Sequence, residues 1–207
     1  MPTLEYMARL MQHISKLNRQ LQRACIYFAS IIYVAPSHAE IQFSSHPITN
    51  PVIAVAYPIL GTEGYQLQIY EQKPRGRRCW AEESDGSGSI RPKLLEFDFK
   101  GSCARYIDLN GYSIRIGNNQ MAIVYRPVIQ RVGVNLCLVA VPAKSTKENP
   151  KILIGTGKLG RVGRVQKIVL DKSWQITRRM FQGRPLGHVY IESVASIAST
   201  QSLNCNK

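Results

Sequence analysis

The sequence predicts an all-β protein, folded as an antiparallel sandwich or barrel. Short runs of alternating apolar and polar residues recur along the chain, separated by Gly, Asn and Pro. Antiparallel sheets with one face in water produce this pattern. Beyond residue 39 no segment keeps a helical period for three turns, so helical and α/β folds are not expected. The length of 207 residues suits one domain with its own core.

Four segments show the alternation most clearly, and each is expected to form a strand. They are GYQLQIYEQ (64–72), LLEFDFKG (94–101), GYSIRIG (111–117) and GHVYIES (187–193). In the last segment Val189 and Ile191 are expected to face the core. The opposite, polar face would carry His188, Tyr190 and Glu192. Each strand would thus give one face to the core and one to water.

Similar segments recur along the chain at a constant offset of about 70 residues, which predicts two copies of a unit of that length. The corresponding segments are VAYP (55–58) with VYRP (124–127), YQLQIYE (65–71) with NLCLVAV (135–141), FDFKGSC (97–103) with IVLDKSW (168–174), and NGYSIRI (110–116) with GRPLGHVYI (183–191). The copies would span residues 50–118 and 119–193 within a domain at 40–195. Each would supply four or five strands to a pseudo-two-fold sandwich or barrel.

Residues 1–39 have the features of a secretory signal peptide with a long leader. Basic residues precede the apolar run ACIYFASIIYVA (24–35), and small Ser37 and Ala39 stand just before Glu40. The run is shorter than the roughly 20 residues of a membrane-spanning helix. We therefore expect export to the periplasm, cell envelope or exterior, with no transmembrane anchor after cleavage. An uncleaved anchor is the alternative.

The length of the leader leaves two interpretations open. Met11 as the true start would leave 29 residues up to Ala39, within the usual signal-peptide size. Alternatively, the apolar residues of 4–21 form the seam of an amphipathic helix.

The net charge is +14, and removal of residues 1–39 leaves +11. A basic exported protein commonly meets anionic polymers such as envelope polysaccharide, acidic lipid head groups or stray nucleic acid. Solubility alone would also account for the charge.

Four cysteines follow the leader and permit three complete pairings. An oxidising compartment favours a bridge between Cys79 and Cys103, worth roughly 2–4 kcal/mol. Cys137 lies in an apolar strand and is expected to be a buried thiol. Cys205 belongs to a polar tail, 196–207, that is expected to be disordered. The absence of any C-x-x-C pair argues against a zinc site.

The segment KILIGTGKLGRVG (151–163) has the spacing of a dinucleotide-binding loop. Such a loop must open a helix of several turns, but a further strand follows after only six residues. Neither a nucleotide nor another cofactor is therefore expected. GTG (155–157) corresponds in the predicted repeat to GSG (86–88), so we expect a duplicated turn whose glycines take positive φ.

Two basic clusters, KPRGRR (73–78) and KLGRVGR (158–164), are candidate anion-binding loops. The candidate residues are Arg77, Arg78, Lys158, Arg161 and Arg164. Alternatively, both clusters are solvated hairpin tips. Neither contains an aromatic residue, so stacking on nucleic-acid bases is not expected.

The catalytic signals are weaker than the binding signals. His188 has no serine in a G-x-S-x-G context to form a triad. Several acids would supply a carboxylate pair for glycoside hydrolysis, namely Glu82, Glu83, Asp85, Asp98 and Asp108. Trp80 and Trp174 are expected to be packing anchors.

Several motifs together cover most of the expected domain. They are YQLQIYEQ (65–72), CW (79–80), LLEFDFKGSCAR (94–105), NGYSIRI (110–116) and QGRPLGHVYI (182–191). In them the chain resembles an exported cyanobacterial family known as domain of unknown function 3747. The resemblance implies a cyanobacterial source and export into or through the envelope, but no activity. We expect an envelope binding or structural module, for which anionic polysaccharide is a candidate ligand; the alternative is an envelope carbohydrate hydrolase.

Overall fold

The computed structural model describes residues 11–16, 43–117, 119–144, 146, 149–195 and 205. The chain divides into two compact units, Met1–Ile41 and Gln42–Lys207. In the first unit, residues 11–16 are helical and exposed. The predicted signal peptide lies almost wholly outside the described residues, and so does the tail apart from Cys205. Within the part described, no helix is long and apolar enough to cross a membrane.

The described residues of the second unit form strands and one short 3-10 helix at Lys93–Leu95. The strands are β1 (Ser44–Pro47), β2 (Val52–Pro58), β3 (Tyr65–Gln72), β4 (Trp80–Glu82), β5 (Ser89–Pro92), β6 (Cys103–Tyr106), β7 (Tyr112–Ile116), β8 (Asn119–Gln120), β9 (Tyr125–Val132), β10 (Asn135–Pro142), β11 (Ile152–Lys158), β12 (Val165–Leu170), β13 (Trp174–Phe181) and β14 (Arg184–Ser193).

These strands form two sheets. The smaller sheet has the order β1-β13-β14-β7-β8, and the larger has the order β6-β3-β2-β12-β11-β10-β9, with β5 and β4 attached to β12. Strands β7 and β14 run parallel, whereas the other described pairs are antiparallel. The predicted all-β sandwich or barrel is confirmed, with one parallel pair that the alternation did not predict.

The main core lies between the two sheets. It takes Leu67 and Ile69 from β3, Ile114 from β7, Leu138 from β10 and Ile191 from β14. Trp174 also belongs to this core, as expected of a packing anchor. Because both sheets contribute, the core joins distant parts of the chain in one hydrophobic unit.

The face of the larger sheet that points away from the main core is also covered. The expectation that one face of each strand is exposed to water is therefore wrong for this sheet. Tyr70 points away from the main core into an outer cluster with Val55, Ile90 and Leu94. A smaller outer cluster surrounds Cys137. Residues from the connection between β3 and β6 cover the first cluster, and Cys205 covers the second. Short-range alternation does not reveal such cover.

In the smaller sheet the predicted polar face of β14 is buried as well. His188, Tyr190 and Glu192 are at most 8% exposed, which overturns their expected exposure. His188 and Glu192 find hydrogen-bond partners instead of water, whereas the Tyr190 hydroxyl has none among the described residues. Glu192 accepts hydrogen bonds from Ser45 and Thr177 and lies 3.2 Å from the guanidinium of Arg115. A polar strand face can be buried when its groups satisfy one another.

The alternation at 94–101 does not produce a strand. The segment begins inside the 3-10 helix and continues as a turn. Leu94 is fully buried in the outer cluster, whereas Leu95 is 54% exposed. Phe97 and Phe99 pack against that cluster from outside. The backbone N–H of Leu94 bonds to the carbonyl of Cys79, so the segment is a cap over the sheet.

The predicted turn at GTG (155–157) is also wrong. Gly155 and Gly157 lie inside β11 and are not among the glycines with positive φ, whereas Gly86 and Gly88 take φ of +70° and +73°. A Cβ atom on Gly155 would lie 2.5 Å from the carbonyl oxygen of Val169 in β12. These glycines permit close approach of two strands. The KLGRVG segment leads into β12, with no helix between them.

Both units of the predicted repeat contain an opening hairpin, β2–β3 and β9–β10. Their later strands pair differently, since β6 pairs with β3 and β13 pairs with β1 and β14. The duplication stays a prediction.

Two disulfides join the described cysteines. One connects Cys79 to Cys103, the pair favoured from the sequence. The other connects Cys137 to Cys205. The expectation of a free buried thiol at Cys137 is therefore wrong, and Cys205 is 4% exposed. The disorder expected for the rest of the tail falls on residues outside those described. Sequence spacing could not identify this pair, because 68 positions separate its members.

Candidate anion-binding groove

The groove is built around a buried carboxylate, Glu71, near the end of β3. Ile69 and Leu67 lie two and four residues earlier on the same strand face and belong to the main core. The alternation therefore directs Glu71 inward at the rim of the sandwich, where its side chain is 1% exposed. A buried charge at such a position requires partners.

Four donors surround the Glu71 carboxylate. Asn50 Nδ2 and Lys73 Nζ donate to Oε1 over 3.1 and 3.3 Å. Tyr106 Oη and Arg178 Nη2 donate to Oε2 over 2.8 and 2.5 Å. These contacts join β3, β6 and β13 at one point.

The pKa of Glu71 shows the balance of these effects. Burial raises the pKa of the carboxyl, but the hydrogen bonds from Arg178, Asn50 and Tyr106 outweigh it and lower the pKa to about 2. Glu71 is thus a permanent anion at neutral pH. With its lone pairs occupied, it is a structural counter-ion rather than a general base.

An open cleft of about 860 Å³ lies over this cluster. Lys73, Arg105 and Arg178 contribute its cations, while the turn at Asp108–Asn110 and the Pro185–Gly187 segment contribute its walls. We call it the second cleft. Arg178 is 14% exposed and Lys73 is 34% exposed, so both cations remain accessible from it.

A first cleft of about 650 Å³ adjoins it. Its lining includes Arg75, Arg78 and Trp80. Asn50 and Lys73 line both clefts. The two clefts together are the basic groove.

The loop that carries the arginines, 73–78, is held in place rather than free. The amide of Gln72 donates to the carbonyls of Lys73 and Arg77, and its oxygen accepts the backbone N–H of Cys79. A Cβ atom on Gly76 would lie 2.5 Å from Ser102 Cα, so this loop packs directly on its neighbour. The Cys79–Cys103 disulfide closes the base.

Within this loop the arginines have different environments. The guanidinium carbon of Arg77 lies 4.2 Å from the centroid of the Phe97 ring, which occupies this side chain in packing. Arg75 and Arg78 are exposed, line the first cleft and make no ion pair among the described residues. Arg75 holds φ of +59°, an uncommon conformation for a residue other than glycine.

The second predicted cluster, 158–164, lies against acids instead. Arg164 is 3.7 Å from Glu83. The pKa of Asp85 is lowered mainly by hydrogen bonds from Ser87, with a smaller contribution from the charge of Arg161. The nearby Lys167 pairs with Glu82. Lys158, Arg161 and Arg164 do not line either cleft. The structure therefore separates the two candidate loops, and only the first combines unpaired arginines with a cleft.

A family model described as "Protein of unknown function (DUF3747)" matches residues 20–196. The chain belongs to this family. No curated protein and no solved structure matches the chain. The resemblance in the sequence motifs is thus confirmed at the level of the DUF3747 family.

The acids of this DUF3747 member have structural partners. Glu82, Glu83 and Asp85 line a third cleft of about 360 Å³. A hydroxyl and a backbone N–H of Ser87 lower the pKa of Asp85. A glycosidase general acid needs the opposite shift. Asp98 and Asp108 each accept the backbone N–H two residues later. These contacts do not favour hydrolysis over binding.

His188, which the sequence predicted on a solvent-exposed strand face, is buried and hydrogen-bonded to Ser113. His188 Nδ1 lies 2.9 Å from the Asn110 carbonyl and must donate to it, which leaves Nε2 to accept from Ser113 Oγ at 2.8 Å. Burial lowers the pKa of His188. Among the described residues, no group of three metal-ligating side chains is suited to a metal ion.

Sequence reasoning missed Glu71, Tyr106 and Arg178, although it singled out the neighbouring loop. Tyr106 and Arg178 are separated from Glu71 by 35 and 107 positions. The one available signal was a charged residue at the core-facing position of a strongly alternating strand.

Proposed function

We propose that this DUF3747 protein is an exported, non-catalytic envelope module that binds an anionic polysaccharide in the basic groove. The observation that carries the proposal is the pair Arg75 and Arg78, which line an open cleft without ion pairs among the described residues. An arginine fork can bind carboxylate or sulfate with two hydrogen bonds.

Trp80 supports a sugar-containing ligand. It is half-buried at the edge of the outer cluster and also lines the first cleft. Its anchored ring offers an apolar surface beside the arginines, and pockets that combine such surfaces with a few polar groups are typical ligand sites. The expected role as a packing anchor and a role in binding are compatible for this residue.

Export supports an envelope ligand. Two disulfides fit an oxidising compartment, and the leader at 1–39 has signal-peptide features. A cyanobacterial source belongs to this proposal as well. N-terminal sequencing of the exported protein is expected to begin at Glu40.

The binding test compares two double variants that remove the same charge. Arg75→Gln with Arg78→Gln alters the groove, and Arg161→Gln with Arg164→Gln is the matched control. We expect the groove variant to bind polygalacturonate or dextran sulfate at least tenfold more weakly, because each charge-assisted bond is worth about 1.5–3 kcal/mol. The control should change affinity less than threefold, an effect of roughly the size of surface electrostatics.

Calorimetric titration at fixed ionic strength measures both variants, with neutral dextran as the ligand control. Equal losses in the two variants would mean that net charge alone attracts the polymer. Unchanged binding in the groove variant would overturn the proposal.

A further inference from the structure

The second cleft has cations of its own, apart from the Arg75 and Arg78 pair of the first cleft. Arg178 Nη2 bonds to Glu71, and Nη1 lies 2.5 Å from Tyr106 Oη. A guanidinium has five N–H donors, so these two contacts leave donors for a ligand. Lys73 makes one bond to Glu71 and likewise keeps donors.

Glu71 does not cancel the charge of these cations for an incoming anion. Its side chain is 1% exposed and its oxygens already accept four hydrogen bonds. Glu71 lines the cleft, but its oxygens are already engaged, so a ligand anion would hydrogen-bond to the free donors of Lys73 and Arg178. Glu71 fixes these two cations in position, which reduces the entropy that a ligand must remove on binding.

The two clefts form one path, because Asn50 and Lys73 belong to both linings. Each cleft, at about 650 and 860 Å³, falls within the size range of a small-molecule site. A single acidic sugar would occupy only part of this path. A chain of acidic sugars would place one acidic group near Arg78 and another near Arg178.

We propose that the second cleft is a second anion subsite, so that the basic groove binds acidic oligosaccharides long enough to span both clefts. This inference rests on the proposed function and adds a minimum ligand length to it. Binding at the second subsite becomes intramolecular once the first is occupied, so affinity rises steeply with chain length.

Asp108 provides a sharp test because it places a negative charge on the wall of the second cleft. Asp98 is its matched control: both side chains are exposed, and both accept the backbone N–H two residues later. Asp98 does not line either cleft. Replacement by Asn preserves shape and removes the same charge from each place. Arg178 is unsuitable alone, since its loss would strand Glu71.

The experiment titrates the disulfide-bonded protein with galacturonate monomer, dimer, tetramer and hexamer at fixed ionic strength. We expect the hexamer to bind at least about tenfold more tightly than the dimer. Asp108→Asn should strengthen hexamer binding by about two- to fivefold and leave the monomer unchanged, whereas Asp98→Asn should change neither. Thermal midpoints check that both variants are folded.

The two proposals fail differently. If no oligomer binds, or if the Arg75/Arg78 variant behaves like its control, the proposed function fails. If the oligomers bind through Arg75 and Arg78 but affinity is flat with length, and Asp108→Asn equals Asp98→Asn, only the second subsite is refuted.

Discussion

At the scale of single residues, Glu71 shows how one charge can organise a rim between two sheets. It links β3 to Asn50, β6 and β13 through three hydrogen bonds, and a fourth comes from Lys73, directly after β3. Loss of one partner in a buried charge cluster leaves the remaining charge uncompensated, and this is costlier than the net worth of the pair. The main effect of the Glu71–Arg178 pair is therefore that each charge compensates the burial of the other. The net attraction between the two charges stabilises the fold less than this.

We expect Glu71→Gln to lower the free energy of unfolding by about 3–5 kcal/mol at pH 7, since Arg178 would be left without its anion. Urea unfolding measures this change. Glu96→Gln, at an exposed position of the 94–101 cap, is the control and should change stability by less than about 0.5 kcal/mol.

The same substitution should alter the acid stability of the protein. The folded-state pKa of Glu71 is about 2 and its ordinary value is 4.5, so the stabilisation is present above pH 4.5 and is lost as the pH falls towards 2. The loss is about 3 kcal/mol. The amide introduced by Glu71→Gln does not titrate, so the variant should lack this step. An unchanged acid profile would contradict this role.

At the scale of elements, the sequence predicted a strand correctly where an alternating segment also pairs with a neighbouring strand in a sheet. The segments around β3, β7 and β14 became strands as expected. The equally regular 94–101 segment became a cap instead, because its apolar side chains pack onto the outer face of another strand pair. Alternation located apolar side chains that pack, Phe97 and Phe99 among them, but it did not distinguish a cap from a strand and missed the exposure of Leu95.

The close contact between β11 and β12 leads to a prediction for Gly155→Ala. The new Cβ would meet backbone atoms of Val169 and Leu170 at 2.5 and 2.9 Å. Backbone cannot rotate away as a side chain does, so we expect a loss of about 1–3 kcal/mol in unfolding free energy. Gly187→Ala is the control, since a Cβ there meets nothing within 4 Å. Similar urea midpoints for both variants would refute the close-packing role.

At the scale of the whole molecule, the sandwich class was predictable but the groove was not. Composition and periodicity are local, and they were sufficient to identify an all-β domain and the basic loop 73–78. The groove depends on the approach of β3, β6 and β13, whose residues are far apart in the chain. The bridge from Cys137 to Cys205 was missed for the same reason.

Removal of the Cys137–Cys205 bridge should destabilise the whole domain. We expect the Cys137→Ala with Cys205→Ala variant to lose about 2–4 kcal/mol of unfolding free energy, because the bridge closes a long loop. Non-reducing urea unfolding measures the change, with the Cys79→Ala and Cys103→Ala pair for comparison. A loss below about 0.5 kcal/mol would mean that packing in the smaller outer cluster around Cys137 is enough to hold Cys205 in place.

The position of Cys205 also sets the order in which the molecule is completed. Cys79 and Cys103 are available once β6 has been made, whereas Cys205 follows β14 and every other strand. A nascent chain can therefore close its first bridge early but its second only after the entire sandwich has been synthesised. A chain stopped before this point would leave the outer cluster around Val139 and Leu153 uncovered. The second bridge therefore forms only in chains that extend past β14 to Cys205.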